Sequence, residues 1–161
     1  MKYELQDNGV VKISLDNGKV NAITKDLAEE LMSALKRAEN EAKAVVICGN
    51  PGMFCAGYDL KVLAQGMEVA SSMLAQGLLF LEQLYCHPQP VVIACEGHAV
   101  GMGLFMLLAA DYRFGAKGEF AFRLPETSIS MPFTPILKVI AKAHIDARHH
   151  TRAILQSQPY N

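Results

Sequence analysis

Twice along this 161-residue chain a short β-branched apolar run stops at a glycine-bearing loop that leads into a helix. The first instance passes from Ala44–Cys48 through Asn50-Pro51-Gly52-Met53-Phe54-Cys55-Ala56-Gly57 to a helix starting near Asp59. The second passes from Val91–Cys95 through Glu96-Gly97-His98-Ala99-Val100-Gly101-Met102-Gly103 to the apolar helix 104–110. Short apolar runs bounded by breakers read as strands buried on both faces, the kind found in parallel sheets covered by helices. The repeat therefore predicts an α/β chain in which two loops of the same build can face one another. Glycine lets backbone N–H groups come close to a ligand, and a helix N-terminus adds partial positive charge beside them.

The flanking sequence supports one domain over 1–161, for which a 51% apolar content is ample. Alternating residues in 3–15 around Asn8-Gly9 predict a β-hairpin. Thr24 is placed to cap a helix whose Leu27, Leu31, Ala34, Leu35 and Ala38 share one face. The dense apolar residues of 68–85 predict a long buried helix that ends before Pro88 and Pro90. Short strands at 112–114 and 119–122, a Pro-Glu loop, and helices at 136–143 and 146–156 complete the reading. Beyond 156 no clear element is expected, and there is no solenoid repeat or low-complexity linker.

Several functional classes are disfavoured. A net charge of -1 with 19% charged residues offers no global field for nucleic acid or an anionic membrane. The first nine residues lack a signal-type apolar region and no run of eighteen apolar residues occurs, so a cytoplasmic, reduced protein is expected. Cys48, Cys55, Cys86 and Cys95 form no CxxC pair. Cys55 has no His or Asp at a nucleophile's spacing and reads as a small core residue. His144, His149 and His150 cluster in sequence, but adjacent residues on a helix point apart, so no metal site is expected. The absence of a G-x-S-x-G elbow disfavours a serine hydrolase.

The segment from Asn50 to Lys61, with Phe54-Cys55-Ala56-Gly57-Tyr58-Asp59-Leu60-Lys61, resembles the F-[SC]-A-G-x-D-[LI]-K segment of the crotonase superfamily. Pro90 to Gly103, followed by a helix and Asp111, resembles that family's K-P-[VT]-I-A-A-[VI]-x-G-x-[AC]-x-G-G-G segment. Val20-Asn21-Ala22 is similar to its L-N-A loop, and Leu124-Pro125-Glu126 to its F-x-x-P-E segment. The resemblance covers nearly the whole chain. It implies a ClpP/crotonase-type spiral of ββα repeats and an oxyanion hole built from the backbone N–H groups of Tyr58 and Met102. Met102 stands where a glycine is usual, which requires a negative φ there. Family members continue into C-terminal helices, so the chain is expected to be truncated.

The same resemblance implies an acyl-CoA substrate, no further cofactor, and a homotrimer or dimer of trimers. It assigns substrate and CoA binding to Lys19, Asn21, Ala22, Ala56, Gly57, Asp59, Leu60, Lys61, Gly101 and Phe105. The family's hydratases use two glutamates; the first position aligns here with Phe105 and the second with Glu126. Moving a double bond needs one base that takes and returns a proton, whereas adding water needs a second proton-handling group. Pro125-Glu126-Thr127 also resembles the Δ3,Δ2-enoyl-CoA isomerase branch, so isomerase chemistry with Glu126 as base is favoured. The alternatives are a hydratase and a catalytically silent acyl-CoA-binding protein of this fold.

Overall fold

The computed structural model describes residues 1–160. Strands β1 (Lys2–Leu5) and β2 (Val10–Ser14) form the expected antiparallel hairpin, with Tyr3 opposite Ile13. Gly9 closes it with a φ of 83°, a value that costs glycine little. Alternation in β2 turns Val11 and Ile13 inward. Helix α1 (Lys25–Glu41) starts where Thr24 Oγ1 accepts a hydrogen bond from Leu27 N at 3.2 Å, and buries Leu27, Leu31, Ala34, Leu35 and Ala38 against the sheet.

The chain then winds through β3 (Ala44–Cys48), β4 (Gly52–Cys55), α2 (Leu60–Leu63) and α3 (Met67–Tyr85). A second turn is built from β5 (Val91–Cys95), β6 (Gly97–Val100) and α4 (Met102–Ala109). The third has β7 (Tyr112–Gly115), β8 (Phe122–Arg123), a 3-10 turn at Glu126–Ile129 and α5 (Pro135–His144). One strand of each turn joins a five-stranded sheet of order β1-β2-β3-β5-β7, and the next joins a three-stranded sheet of order β4-β6-β8. From β2 onward the pairing is parallel. This is the α/β spiral of ββα repeats expected from the sequence. Among the described residues no helix is long and apolar enough to cross a membrane.

Five local expectations are corrected. The glycine loops 50–57 and 96–103 each contain a strand, β4 and β6, which pair with one another, β6 pairing also with β8. Their approach is so close that a Cβ on Gly97 would overlap Gly52 C and Met53 N. Strand β3 is fully buried only at Val45 and Ile47, its other residues being half-buried. Helix α3 is not buried all round: Met73, Gly77, Phe80, Leu81 and Leu84 face inward, whereas Met67 is 86% exposed. The expected strand 119–122 reduces to Phe122–Arg123, and the expected helix 146–156 divides into a 3-10 turn (Ala147–His149) and a π-helical turn (Thr151–Leu155). Tyr160 bridges back to Phe122 beside them.

The steric reading of Gly97 makes a stability prediction. Gly97→Ala is expected to lower unfolding free energy by about 3 kcal/mol, the upper range for overpacking a rigid backbone contact. Gly115→Ala, where an added Cβ meets nothing within 4 Å, is expected to stay within about 0.5 kcal/mol of the parent. Urea denaturation of the three proteins checks both, and equal losses would overturn the steric argument.

Candidate active site

The order β4-β6-β8 decides what meets at the site. These strands are parallel, with Cys55 beside Ala99 and Val100 beside Arg123, so their C-terminal ends lie together. Gly57-Tyr58, Gly101-Met102 and Pro125-Glu126 begin within two residues of those ends. In open parallel sheets this is the edge where ligands bind. A Cβ placed on Gly57 would stand 2.9 Å from Val100 O and 3.4 Å from Met102 N. One placed on Gly101 would stand 3.2 Å from Glu126 Oε1. Three loops from separate ββα turns therefore converge on one point.

Two backbone donors are free there. Ile23 N donates to Gly57 O at 2.8 Å and Asp59 N donates to Ile23 O at 3.1 Å, so the residues on either side of Tyr58 are paired through one strand-like bridge. The Tyr58 N–H between them has no acceptor among the described residues. Met102 opens α4, so its N–H is one of the donors a helix cannot satisfy internally, and it too has no acceptor among the described residues. The turn into α4 is made by Gly101 at a φ of 53°, while Met102 is absent from the positive-φ residues. Its Cβ is therefore tolerated.

Glu126 is 6% exposed, and its Oε2 is buried without a hydrogen-bond partner. Burial pushes the carboxyl up to about 7, against a smaller opposing effect of its own backbone N–H. Burial, and next the nearby charge of Glu126, also raise the Tyr58 phenol well above the usual tyrosine range. A cleft of about 200 Å³ lies over these groups, bounded by Ala56, Gly57, Leu60 and Gly101 as well as Tyr58, Met102 and Glu126. Behind it is an apolar hollow of about 40 Å³ reaching Phe105. Phe105 is fully buried, with its ring 5.6 Å from that of Phe133. Among the described residues Glu126 is the one carboxylate lining either space.

Other sequence-derived candidates lie elsewhere. Asp59 caps α2, its Oδ1 accepting from Lys61 N at 2.8 Å and Val62 N at 3.4 Å. Lys19 and Lys61 are exposed and line neither space. For Asn21 the reading as a binding residue is corrected: it is fully buried at a φ of 48°. Its Oδ1 accepts from Asn17 N at 2.9 Å and its Nδ2 donates to Phe54 O at 3.2 Å, so its polar atoms pin the 17–22 loop to β4. Ala22 belongs to the same clasp, its carbonyl accepting from Asn17 Nδ2 at 2.6 Å. Cys55 is buried with its thiol pushed up to about 12 by burial, which disfavours the thiolate a nucleophile needs. Among the described residues no group of three metal-ligating side chains converges.

The sequence reading missed Leu74, Leu78 and Thr134, which line the hollow. The two leucines lie on the partly buried face of α3. Thr134 precedes Pro135 and reads as a helix cap, a signal that conceals its other position.

A family model described as enoyl-CoA hydratase/isomerase matches residues 5–160. A probable enoyl-CoA hydratase of Rhodobacter capsulatus is 35% identical over 133 residues, covering 81% of this chain and 51% of that protein. The chain thus spans about half the length of this relative. Among solved structures, an enoyl-CoA hydratase/isomerase family protein from Pseudomonas syringae superposes with a TM-score of 0.93 at 37% identity, covering 99% of this chain and 69% of that one. An enoyl-CoA isomerase from Mycobacterium tuberculosis gives a TM-score of 0.90 at 32% identity, with the same coverage of 99% and 69%.

Proposed function

The chain belongs to the enoyl-CoA hydratase/isomerase family, and from that premise we propose that its site moves a proton within an enoyl-CoA thioester, with Glu126 as the base. The thioester oxygen sits between Tyr58 N–H and Met102 N–H. Glu126 takes a proton from C2 of a 3-enoyl group, the negative charge spreads onto the oxygen as a dienolate, and the proton returns at C4. The double bond then lies between C2 and C3. Two backbone donors aimed at an oxygen that becomes charged only during reaction act mainly on the transition state, by about 3 to 4 kcal/mol for each well-placed donor.

The observation that carries this reading is the lone carboxylate. Glu126 is buried with its carboxyl held near neutrality, where a base both takes and gives back a proton with little cost. Phe105 occupies the position at which the resemblance places a second glutamate, and it is an apolar wall. Coenzyme A enters as part of the substrate, and the whole protein assembles as a homotrimer or dimer of trimers, as the family resemblance suggests.

Hydration of a 2-enoyl-CoA is the second reading, favoured by the name of the Rhodobacter capsulatus relative. The two are separated by following double-bond migration in a 3-enoyl-CoA beside water addition to a 2-enoyl-CoA. Migration without hydration is the expected result. Hydration at a comparable rate would replace the isomerase reading, and CoA binding without either reaction would leave a silent binder.

A further inference from the structure

Thr134 occupies the N-cap position of α5, with extended backbone angles (φ -64°, ψ 163°), yet its side chain makes no capping hydrogen bond. A threonine there ordinarily accepts from an N–H one turn ahead. Instead, its Oγ1 is buried without a partner, and the residue lines the hollow behind Glu126. Glu126 Oε2 is the other buried oxygen without a partner on the same hollow. Tyr58 also lines it, and its hydroxyl donates to Leu74 O at 3.3 Å while retaining acceptor capacity.

A buried hydroxyl or carboxylate without a hydrogen bond is costly, and both orphans belong to residues that line one small space. A water needs about 10 to 15 Å³ and two to four polar partners. The hollow has about 40 Å³, and three side-chain oxygens belong to residues that border it. It shares Tyr58, Met102 and Glu126 with the larger cleft, so the two spaces adjoin at these residues. We propose that this hollow is a water site in which Thr134 holds a water against Glu126 and opens the base's proton to exchange with solvent.

The proposal rests on Glu126 acting as the base and adds a residue and a route to that reading. When Glu126 takes the C2 proton, the C–H electron pair enters the dienolate and the carboxylate becomes an acid. The acid and the held water trade protons with no net change. The acid then protonates C4 using the dienolate's electrons. Thr134 acts through the water and is a positioning residue. Of the side chains around Glu126 only the Tyr58 phenol titrates; α3 presents Leu74 and Leu78, α4 Met102 and Phe105, and α5 Leu137.

Two readouts test this on Thr134→Val, which removes the hydroxyl at nearly constant shape, and on Thr134→Ser, which keeps it. In D2O the parent is expected to place deuterium at C4 in most turnovers. Thr134→Val is expected to lower that fraction several-fold while migration continues, and Thr134→Ser to restore it. Retention of the original proton by the parent, or unchanged exchange in Thr134→Val, would overturn the proposal. The second readout needs no turnover. With 13C-carboxyl glutamate, the Glu126 midpoint is expected to rise by about one unit in Thr134→Val, because the carboxylate loses a solvating partner. An unmoved midpoint would overturn the water site whatever the activity; absence of migration in the parent would instead count against Glu126 as base.

Discussion

Glu126→Gln is expected to abolish turnover and, above pH 7, to make the fold more stable. Glutamine preserves the shape of the side chain but cannot accept the C2 proton, and a positioned general base contributes about 10²- to 10⁴-fold. In the parent, the rate is expected to rise with pH through about 7, because the carboxyl must be ionised and burial holds it there. The stability effect has the opposite sense. A carboxyl raised from 4.5 to about 7 binds its proton more tightly in the folded chain than in the unfolded one. Its contribution is therefore complete below pH 4.5 and lost as pH rises through 7. At pH 8 the parent carries a cost of order 3 kcal/mol, at about 1.4 kcal/mol per unit, that Gln lacks. Unfolding midpoints at pH 4 and pH 8 measure it. A variant with no added stability at pH 8 would show that the carboxyl is solvated rather than held up by burial.

Gly57→Ala carries the second large effect. Gly57 has a φ of 87°, and an added Cβ would stand 2.9 Å from Val100 O and 3.4 Å from Met102 N. An alanine must either leave the left-handed region or push the turn into α4 away. Both responses separate Tyr58 N–H from Met102 N–H. Losing one such donor costs about 10²- to 10³-fold in kcat, and KM is expected to change far less. Gly52→Ala is the control: its φ is 82°, but nothing lies within 4 Å of the added Cβ. That variant carries the backbone strain, about 1 kcal/mol of stability, without the collision. Parallel loss of kcat in both would mean that strain alone, not displacement of the donors, explains the result.

The elements read correctly from sequence are those whose signal is local. Asn8-Gly9 marks its hairpin, Thr24 and the Leu27-Leu31-Leu35 stripe mark α1, and the β-branched runs mark β3 and β5. Strands β4 and β6 were not legible because they are four residues each, contain glycine, and exist only through non-local pairing, β4 with β6 and β6 also with β8. The candidate donors were placed through the family resemblance, and the glycines explain why backbone can approach there. Asn21 was misread because a loop asparagine offers no sequence sign that both ends of its amide are occupied. Thr134 was missed because capping residues and cavity-facing residues have the same composition, and only the absent bond tells them apart.

The winding of the two sheets also sets the tempo at which this chain reaches its fold. Val11 lies beside Val45, Val45 beside Val91, and Ile93 beside Arg113, so only the first hairpin closes over a short stretch of backbone. The entropy of bringing distant segments together must be met before their pairing is rewarded, and topologies of this kind collapse to the native state in about milliseconds to seconds rather than microseconds. Glu126 follows the shortest strand, β8, which docks on β6. An intermediate lacking that last docking step would hold both backbone donors and no base.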